Sequence, residues 1–475
     1  MTRGGTILDW SAIPVCDGKV WGPDLFAWAY DLLASSGLWR DQRRPGTIAS
    51  DPLVQDWIGP LRAGYGWVLP DVVRSVQASS THRRPGYVLL RLLVALDRAY
   101  HGMSIVRPQI TPELEQLEEL WLRTGSLGRA VGGSVLRKGT SWQQGAALAQ
   151  YCENLARVRA DQGLGFKAVP HCPPWRVGSL LGRRSRGREI RVAFVPMLYE
   201  CTDVEFTPHG SDGFRLTLDS GKQRLLSAEM PRIVAELETE RVNVALLPEA
   251  CASSDVVAAL RAAMRSNFSD ALAAGRMPEL RLVAVGEVAS SGTNAAVLLD
   301  AAGDPLFRQR KVAPWYLNAD QQRRYGMSAL SPFVDRHESV LGASALNCLD
   351  DPGFGRLVIL ICEDLASPDP ARTIVVDAAP TLVVGLVMDG SLETGRWAFE
   401  AAKAIAAEPA ALVLVANSWM LSERQRASGG LPTPPADPGV GIVCHPSDYA
   451  QSRVHSAPPG CGSHLRVDVS WDRWA

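Results

Sequence analysis

The sequence predicts an α/β layered fold for residues 189–475, preceded by an all-helical module over residues 1–182. Two observations support this division. Before the boundary, apolar residues recur at helical spacing and strand-like runs are few. After it, short continuous apolar runs alternate with amphipathic segments, as expected where buried strands alternate with covering helices. The boundary is a basic, glycine-rich run at residues 182–188.

The N-terminal module is predicted from helical periodicity alone. Thr111 and Pro112 have the residue types of a helix start, a capping hydroxyl followed by a proline in the first turn. No function can be assigned to this module from its sequence. Apolar residues three or four positions apart, and an alanine-rich stretch, predict helices over residues 26–33, 89–96, 114–121 and 146–156.

The C-terminal region is predicted to alternate strands with helices. Functional groups are expected at the C-terminal ends of its strands. Residues 300–304 indicate a hairpin turn, and Pro409 ends the last helix because proline cannot continue one. In chain order the pattern predicts strand 190–197, helix 225–237, strand 242–247, helix 255–274, strand 281–288, paired strands 294–299 and 306–312, strands 357–361 and 381–387, helix 394–408 and strand 412–416.

Composition argues against several classes of function. A net charge of −1 and a pI near 6.7 provide no basic field for nucleic acid or an anionic membrane. The N-terminus leads into no apolar signal core, and no apolar run is long enough to span a bilayer. The nine cysteines, scattered and odd in number, indicate no disulfide framework. These observations predict a reduced, cytoplasmic protein.

Cofactor and metal motifs are also missing from the sequence. No glycine-rich phosphate-binding or dinucleotide motif occurs, so no nucleotide cofactor is expected. Cys444-His445 and Cys461 with His464 are metal-ligand residue types, but their spacing matches no zinc module. The basic run at residues 183–191 lacks interleaved aromatic residues and favours a solvated linker over a nucleic-acid surface.

Three polar residues follow strand-like runs in the C-terminal region: Glu249, Lys311 and Cys362. A carboxylate, an ammonium and a thiol brought together suit cysteine-based attack on an amide or nitrile carbon, because the thiol needs a proton acceptor and a cationic neighbour. Each residue also has a structural interpretation. Cys362 could be a small core residue, Glu249 a helix-start carboxylate and Lys311 part of a solvated basic strand end.

The three motifs resemble those of the nitrilase superfamily of carbon–nitrogen hydrolases. Glu249 in Leu-Leu-Pro-Glu-Ala, Lys311 in Arg-Gln-Arg-Lys-Val and Cys362 in Leu-Ile-Cys-Glu-Asp-Leu occur in the family's order and at similar separations, over about 60% of the chain. The resemblance implies an α-β-β-α sandwich that hydrolyses a non-peptide C–N bond through a thioester. It implies Cys362 as nucleophile, Glu249 as base and then acid, and Lys311 with the N–H of Glu363 as oxyanion donors.

The sequence departs from the family pattern in two places. Many members carry a second Glu about eight residues after the Lys, where this chain has Ala319. Asp320 or Glu338 could fill that role, and the sequence leaves the choice open. The helix after Cys362 carries Lys403-Ala404 where an Arg-Ala pair is usual. A catalytically degenerate scaffold or regulatory protein, as in bacterial multi-component defence systems, is therefore the alternative to an amidase.

The resemblance also implies partners. A small amide or nitrile is the expected substrate, and family members usually pair through the helices after the catalytic strand, which predicts a homodimer or higher homo-oligomer. The helical module could instead cap the active site or recruit a protein partner. No membrane or nucleic-acid partner is expected.

Overall fold

A computed structural model of the 475-residue chain describes much of both regions. The predicted helix start at Thr111, the predicted helix over 114–121 and the boundary run at 182–188 lie outside the described residues. The described residues are 12–15, 18–40, 45–64, 66–100, 134–137, 148–152, 155–158, 164–170, 189–289, 292–351, 355–367, 371, 373–407, 411–429, 438–446, 452–458 and 464–470.

Helices dominate the first hundred residues. The elements are α1 (Gly22–Ser36), α2 (Pro45–Ala49), α3 (Pro52–Ala63), α4 (Pro70–His82) and α5 (Pro85–Ala99). Prolines begin most of them, at positions where the missing N–H costs no hydrogen bond. Gly37, with φ of 66°, ends α1 in the left-handed conformation. The predicted helices over 26–33 and 89–96 are confirmed within α1 and α5, whose apolar faces share one core.

The expectation of an all-helical module is not confirmed, because this region also contains strands. The predicted helix over 146–156 is wrong: residues Leu148–Tyr151 form one 3₁₀ turn and a strand starts at Leu155. Buried Asp97 accepts the N–H of Leu155 at 2.8 Å, so tertiary contacts override helix propensity here. The strands are β1 (Val20–Trp21), β2 (Trp67–Val68), β3 (Ser134–Arg137), β4 (Leu155–Val158) and β5 (Gly165–Pro170).

From residue 189 onward, strands and helices alternate. The helices are α6 (Ser220–Thr239), α7 (Ser254–Ala273), α8 (Ala319–Arg324), α9 (Glu363–Ala366), α10 (Thr373–Ala378), α11 (Trp397–Ala407) and α12 (Met420–Ala427). The strands are β6 (Glu189–Phe194), β7 (Val204–His209), β8 (Gly213–Leu218), β9 (Val244–Ala252), β10 (Leu282–Val288), β11 (Asn294–Asp300), β12 (Pro305–Arg310), β13 (Tyr316–Leu317), β14 (Arg336–Glu338), β15 (Ala345–Asp351), β16 (Gly355–Ile361), β17 (Leu382–Leu386), β18 (Leu412–Ala416), β19 (Gly439–Cys444), β20 (Arg453–Ser456) and β21 (Leu465–Ser470).

Two large mixed sheets carry the fold. The first has six strands in the order β12-β11-β10-β9-β6-β21, and the second has seven in the order β20-β19-β18-β17-β16-β15-β5. Their central strands, β6-β9-β10 and β16-β17-β18, run parallel. Strand β5 pairs in parallel with β15, so a segment before the predicted boundary completes the second sheet. The boundary between residues 182 and 189 remains a prediction.

The two sheets pack face to face, and helices cover their outer faces. In β9, Val244 and Leu246 pack between the sheets, while Ala245 and Leu247 face α6 and α7. In β16 the odd positions Leu357 and Ile359 pack between the sheets, whereas the even positions Val358 and Leu360 face the helices α9–α11. This period of two places strand residues on opposite faces. The described residues thus form four layers, as the predicted α-β-β-α sandwich requires.

A small four-stranded sheet, β13-β14-β8-β7, lies beside these layers and includes Glu338 at the end of β14. Its strands β13 and β14 belong to the long connection between Lys311 and the Cys362 strand. In the described part of the chain, no helix combines the length and apolarity needed to cross a bilayer.

Candidate active site

Glu249 lies within β9 at an irregular point of the strand. The register between β9 and β10 shifts between Val285 and Glu287, and Ala250, directly after Glu249, has φ of 51°. Such a bulge re-aims a side chain out of the ladder. Gly286 permits it, because a Cβ at this position would lie 2.7 Å from the Cα of Glu249. The Glu249 side chain is buried, with 1% exposure.

Lys311 follows β12 and places its ammonium between two carboxylates. Its Nζ donates to Glu249 Oε1 at 2.8 Å and to Glu338 Oε2 at 2.6 Å, and its side chain is 1% exposed. Asn294, at the start of β11, donates its side-chain amide to both carboxylates, at 2.8 Å to Glu249 Oε1 and 2.9 Å to Glu338 Oε1. Backbone N–H of Trp315 completes the set on Glu338. Four buried side chains therefore form one hydrogen-bonded group.

Cys362 occupies a sharp turn between β16 and the short helix α9. Its φ of 47° and ψ of −102° are unusual for a residue with a side chain, and such strain is held by the surrounding structure. Its N–H bonds to Leu386 O at 2.9 Å on the neighbouring strand, which fixes the turn. The side chain is 4% exposed. The backbone N–H of Met388 favours the thiolate form of Cys362 and lowers the pKa of the thiol.

The three predicted catalytic groups influence one another electrostatically. Burial and the charge of Glu249 raise the pKa of the Cys362 thiol well above its usual value, while Lys311 opposes the shift. Burial alone would lower the pKa of Lys311, but Glu249, Glu338 and Cys362 raise it well above its ordinary value. Burial raises the pKa of Glu249, and Lys311 opposes it. The resting state is therefore a thiol beside an ammonium, and a base is needed to form the thiolate.

Asp364 ties the turn that holds Cys362 to the segment that holds Lys311. Its carboxylate accepts the N–H groups of Val312 at 3.1 Å and Ala313 at 2.7 Å, just after Lys311, and that of Ile361 at 3.3 Å. Burial raises the pKa of Asp364 to about 7, although these N–H groups lower it. Neither Asp364 nor Asn294 was predicted as a site residue. Both are polar residues next to a buried strand, and this position could have marked them as candidates.

The two residues proposed for the second-Glu position lie in different places. Glu338 is buried and bonded to Lys311, whereas Asp320 is 84% exposed and pairs with Arg323 on the surface of α8. The structure therefore brings Glu338, and not Asp320, to the other predicted site residues. Glu363 is partly buried at the start of α9, where the first N–H groups of a helix lack an intrahelical acceptor.

Hydrogen-bonding positions on Glu249, Asn294 and Lys311 have no partner among the described residues and are open to a ligand. Oε2 of Glu249 is buried and has no hydrogen-bond partner among the residues that the structure describes. Lys311 uses two of its three N–H groups on carboxylates, which leaves the third for a further acceptor. A free carboxylate oxygen and a free N–H near a thiol can serve a proton acceptor and an oxyanion donor. No group of three or more potential metal ligands occurs within the described ranges.

Comparison with known proteins gives likeness only at the level of solved structures. Comparisons with family models and with curated proteins find no match. The chain is similar to a mutant of the amidase from Nesterenkonia sp. AN1 that carries the acetamide moiety of fluoroacetamide on its active-site cysteine, with 17% identity, 62% of this chain and 94% of that chain covered, and a TM-score of 0.38. It is also similar to Saccharomyces cerevisiae Nit3, of branch 10 of the nitrilase superfamily, with 12% identity, 62% and 92% covered, and a TM-score of 0.36.

A double mutant of the same Nesterenkonia amidase in complex with acrylamide matches with 18% identity, 61% of this chain and 94% of that chain covered, and a TM-score of 0.37. Nit3 and the Nesterenkonia amidase are both members of the nitrilase superfamily. The remaining part of the chain lies outside these matches.

Proposed function

We propose that the protein hydrolyses a non-peptide C–N bond, as an amidase with Cys362 as its nucleophile. One observation carries the proposal: the ammonium of buried Lys311 bridges Glu249 and Glu338 within electrostatic range of the Cys362 thiol. Burying two carboxylates and a cation is costly, and a packed core needs no such group. A nucleophile on a strained turn beside a base and a cation is the arrangement that acyl transfer requires.

The reaction begins with proton transfer. Glu249 takes the thiol proton through its free oxygen, and the sulfur attacks the amide carbonyl carbon. The electrons of the C=O bond move to the oxygen, where the third N–H of Lys311 and the backbone N–H of Glu363 stabilise the negative charge. When the intermediate collapses, the C–N bond breaks and the protonated Glu249 gives its proton to the departing nitrogen. Ammonia or an amine leaves, and a thioester with Cys362 remains.

Water completes the cycle at the same residues. Glu249 accepts a proton from water, and the hydroxide formed attacks the thioester carbonyl. The C–S bond then breaks, the carboxylic acid leaves, and the Cys362 sulfur recovers its proton from Glu249. Glu338 and Asn294 do not exchange protons in this scheme. Glu338 holds Lys311, and the Asn294 amide donates to both Glu249 and Glu338, so these two residues keep Lys311 and Glu249 in place.

The test is the reactivity of one cysteine. The protein is treated with acrylamide at neutral pH, and labelled cysteines are identified by peptide mass spectrometry, together with ammonia release from a panel of amides, carbamoyl compounds, glutamine and nitriles. We expect Cys362 to label first, and Cys362→Ala to abolish both signals. Cys201→Ala is the matched control, because Cys201 is only partly buried and lies outside the site, and it should change neither.

The same experiment separates an enzyme from the scaffold predicted as its alternative. If Cys362 reacts no faster than Cys201 and no member of the panel releases ammonia, the hydrolase proposal is wrong and the scaffold is favoured. Glu249→Gln provides a second check, because it keeps the size of the side chain but removes the base. Rapid labelling of Cys362 in that variant would show that Glu249 does not activate the thiol.

The homodimer implied by the family resemblance remains a prediction. Helix α10, one of the helices that follow Cys362, packs within the chain against β4: Ile374 and Val375 share a core with Ala156 and Val158. A dimer through this part of α10 would have to displace β4. Sedimentation at micromolar concentration measures the oligomeric state, and a monomer there would contradict the dimer prediction and favour the N-terminal region as a replacement for that contact.

A further inference from the structure

A second buried carboxylate lies next to the nucleophile and has no role in the proposed reaction. Asp389 lies shortly after Leu386, whose carbonyl accepts the Cys362 N–H, and its side chain is 5% exposed. The N–H of Asp389 donates to Asn417 Oδ1 at 2.9 Å, which fixes the backbone at the end of β17. Asp389 is therefore held in place close to the strand end that fixes the Cys362 turn.

The two oxygens of Asp389 differ in their partners. Oδ1 accepts the N–H of Gly390 at 2.6 Å and a longer bond of 3.5 Å from Arg396. Oδ2 is buried, and no donor among the described residues meets hydrogen-bond geometry with it. Burial raises the pKa of Asp389, while Arg396, the Gly390 N–H and the Trp397 indole oppose the shift. A buried carboxylate oxygen with no well-aligned donor is costly unless a ligand supplies one.

Tyr325 connects this carboxylate with the nucleophile. Its phenol is buried, and burial raises its pKa to about 12. The negative charges of Asp389 and of the Cys362 thiolate contribute to this increase. A Cβ at Gly390 would lie 3.4 Å from the Tyr325 hydroxyl and 2.8 Å from Oε1 of Gln425. The Tyr325 hydroxyl and the Gln425 amide oxygen therefore lie next to Gly390, the residue after Asp389.

The charge balance of the region favours a positively charged ligand. Glu249, Glu338 and Asp389 are buried acids, and the described cations that contact them are Lys311, which is buried, and Arg396, which is partly exposed. Arg396 is 31% exposed and lies near two carboxylates, Asp389 at 3.5 Å and Glu393 at 3.9 Å. Its positive charge is therefore shared and does not fully neutralise Asp389. Partly buried charges of one sign raise the local concentration of ligands of the opposite sign.

We infer that Asp389 binds a protonated amine on the acyl part of the substrate, so that the enzyme prefers amides of amino-substituted carboxylic acids. This inference rests on the proposed hydrolysis at Cys362. Oδ2 would accept the ammonium N–H groups. The hydroxyl of Tyr325 can accept another, since a hydroxyl carries two lone pairs. Hydrolysis then releases ammonia and an amino acid, and the charged amine takes no part in bond breaking.

Matched substrates test the inference. 4-Aminobutanamide and pentanamide have the same number of heavy atoms in line and differ in an ammonium against a methyl group, and shorter and longer pairs extend the series. We expect kcat/KM to favour the amine in the best pair by about tenfold or more, the value of a hydrogen bond to a charged group. Asp389→Asn should reduce this ratio to near 1. Glu393→Gln, which removes the neighbouring carboxylate on Arg396, should keep it.

A binding measurement makes the result independent of turnover. In Cys362→Ala, calorimetry should show tighter binding of 4-aminobutanamide than of pentanamide, and Asp389→Asn in that background should remove the difference. Equal binding and equal turnover of the two would overturn the inference, as would an Asp389→Asn variant that weakens both equally. If Cys362 is reactive but the two amides are bound and hydrolysed equally well, the amine specificity is wrong and the proposed hydrolysis stands. An unreactive Cys362 rejects the proposed hydrolysis, and the binding difference still decides the role of Asp389.

Discussion

Lys311 stabilises two carboxylates that would otherwise repel each other in a buried space. Replacing it with methionine keeps most of the unbranched side chain but removes the cation that bridges Glu249 and Glu338. Removing one partner of a buried ion pair costs about 3–5 kcal/mol. We therefore expect Lys311→Met to lower the free energy of unfolding by that amount, measured by urea denaturation, and to abolish amide hydrolysis.

The double variant Lys311→Met/Glu338→Gln is the control for that prediction. It removes one of the two unpaired charges, so part of the lost stability should return, while the oxyanion donor is still missing and activity should not. Full stability in Lys311→Met alone, or activity in either variant, would contradict the assigned role of Lys311.

The pKa of Glu249 sets the acid side of the pH profile. Burial raises this pKa above its ordinary value of 4.5, and the charge of Glu338 adds to the shift. Below its pKa Glu249 carries a proton and cannot act as the base, so kcat/KM should rise with pH through a limb above 4.5. Glu338→Gln removes the like charge, and the limb should move to lower pH. A limb at the ordinary glutamate value, or an upward shift in the variant, would contradict this account.

At the residue scale, sequence spacing located Glu249, Lys311 and Cys362, because each directly follows or lies in a continuous apolar run. It could not choose between Asp320 and Glu338. Both lie in the connection after Lys311, and only the fold of β13 and β14 brings Glu338 back to the lysine. This connection contains the helix α8 and the short strands β13 and β14, which the spacing of apolar residues does not predict.

The bulge in β9 is the element that aims Glu249, and it depends on Gly286 in β10. A Cβ there would lie 2.1 Å from Pro248 O and 2.8 Å from Ala250 N, both backbone atoms that cannot move aside easily. Gly286→Ala should therefore displace the Glu249 backbone, lower stability by about 1–3 kcal/mol as overpacking does, and reduce kcat/KM. Urea denaturation and ammonia release measure the two effects.

Gly59→Ala is the matched control for this substitution. Gly59 lies inside α3, and a Cβ there would meet no atom within 4 Å. Because alanine favours the helix, Gly59→Ala should leave activity unchanged and raise stability by up to about 1 kcal/mol. A Gly286→Ala variant as stable and active as Gly59→Ala would show that the bulge does not need the glycine.

Elements with one clear period were predictable, and those that depend on distant partners were not. Helices α1, α5, α6 and α7 and the apolar strands follow from spacing of three to four or from continuous runs. Strand β4 could not be predicted in this way, because its residues 155–156 continue an alanine-rich stretch that favours a helix. They form a strand because Asp97 accepts the N–H of Leu155 and the side chains of β4 are buried. Strand β5 is specified by its partner β15, nearly 180 residues away in sequence.

At the scale of the molecule, the N-terminal region contributes to the layer that carries Cys362. Strand β5 extends the sheet that contains β16. Strand β4 packs on α10, one of the helices that cover this sheet. The two predicted regions therefore share structure, although a composition change separates them in sequence. A short segment that completes a sheet edge gives a reason for the chain to keep both regions together.

Truncation tests this dependence. A chain of residues 189–475 lacks β5, so the backbone of Ala345–Asp350 in β15 becomes an open edge. A chain of residues 161–475 keeps β5. Both chains lack β3 and β4, so they differ at β5 and the segment after it. Open edges recruit other chains, and each lost backbone hydrogen bond costs about 1 kcal/mol. The shorter chain should therefore be less stable by roughly 3 kcal/mol or more and should scatter more light at equal concentration. Equal stability and equal scattering of the two chains would show that β5 is dispensable, and that residues 189–475 fold as an independent unit.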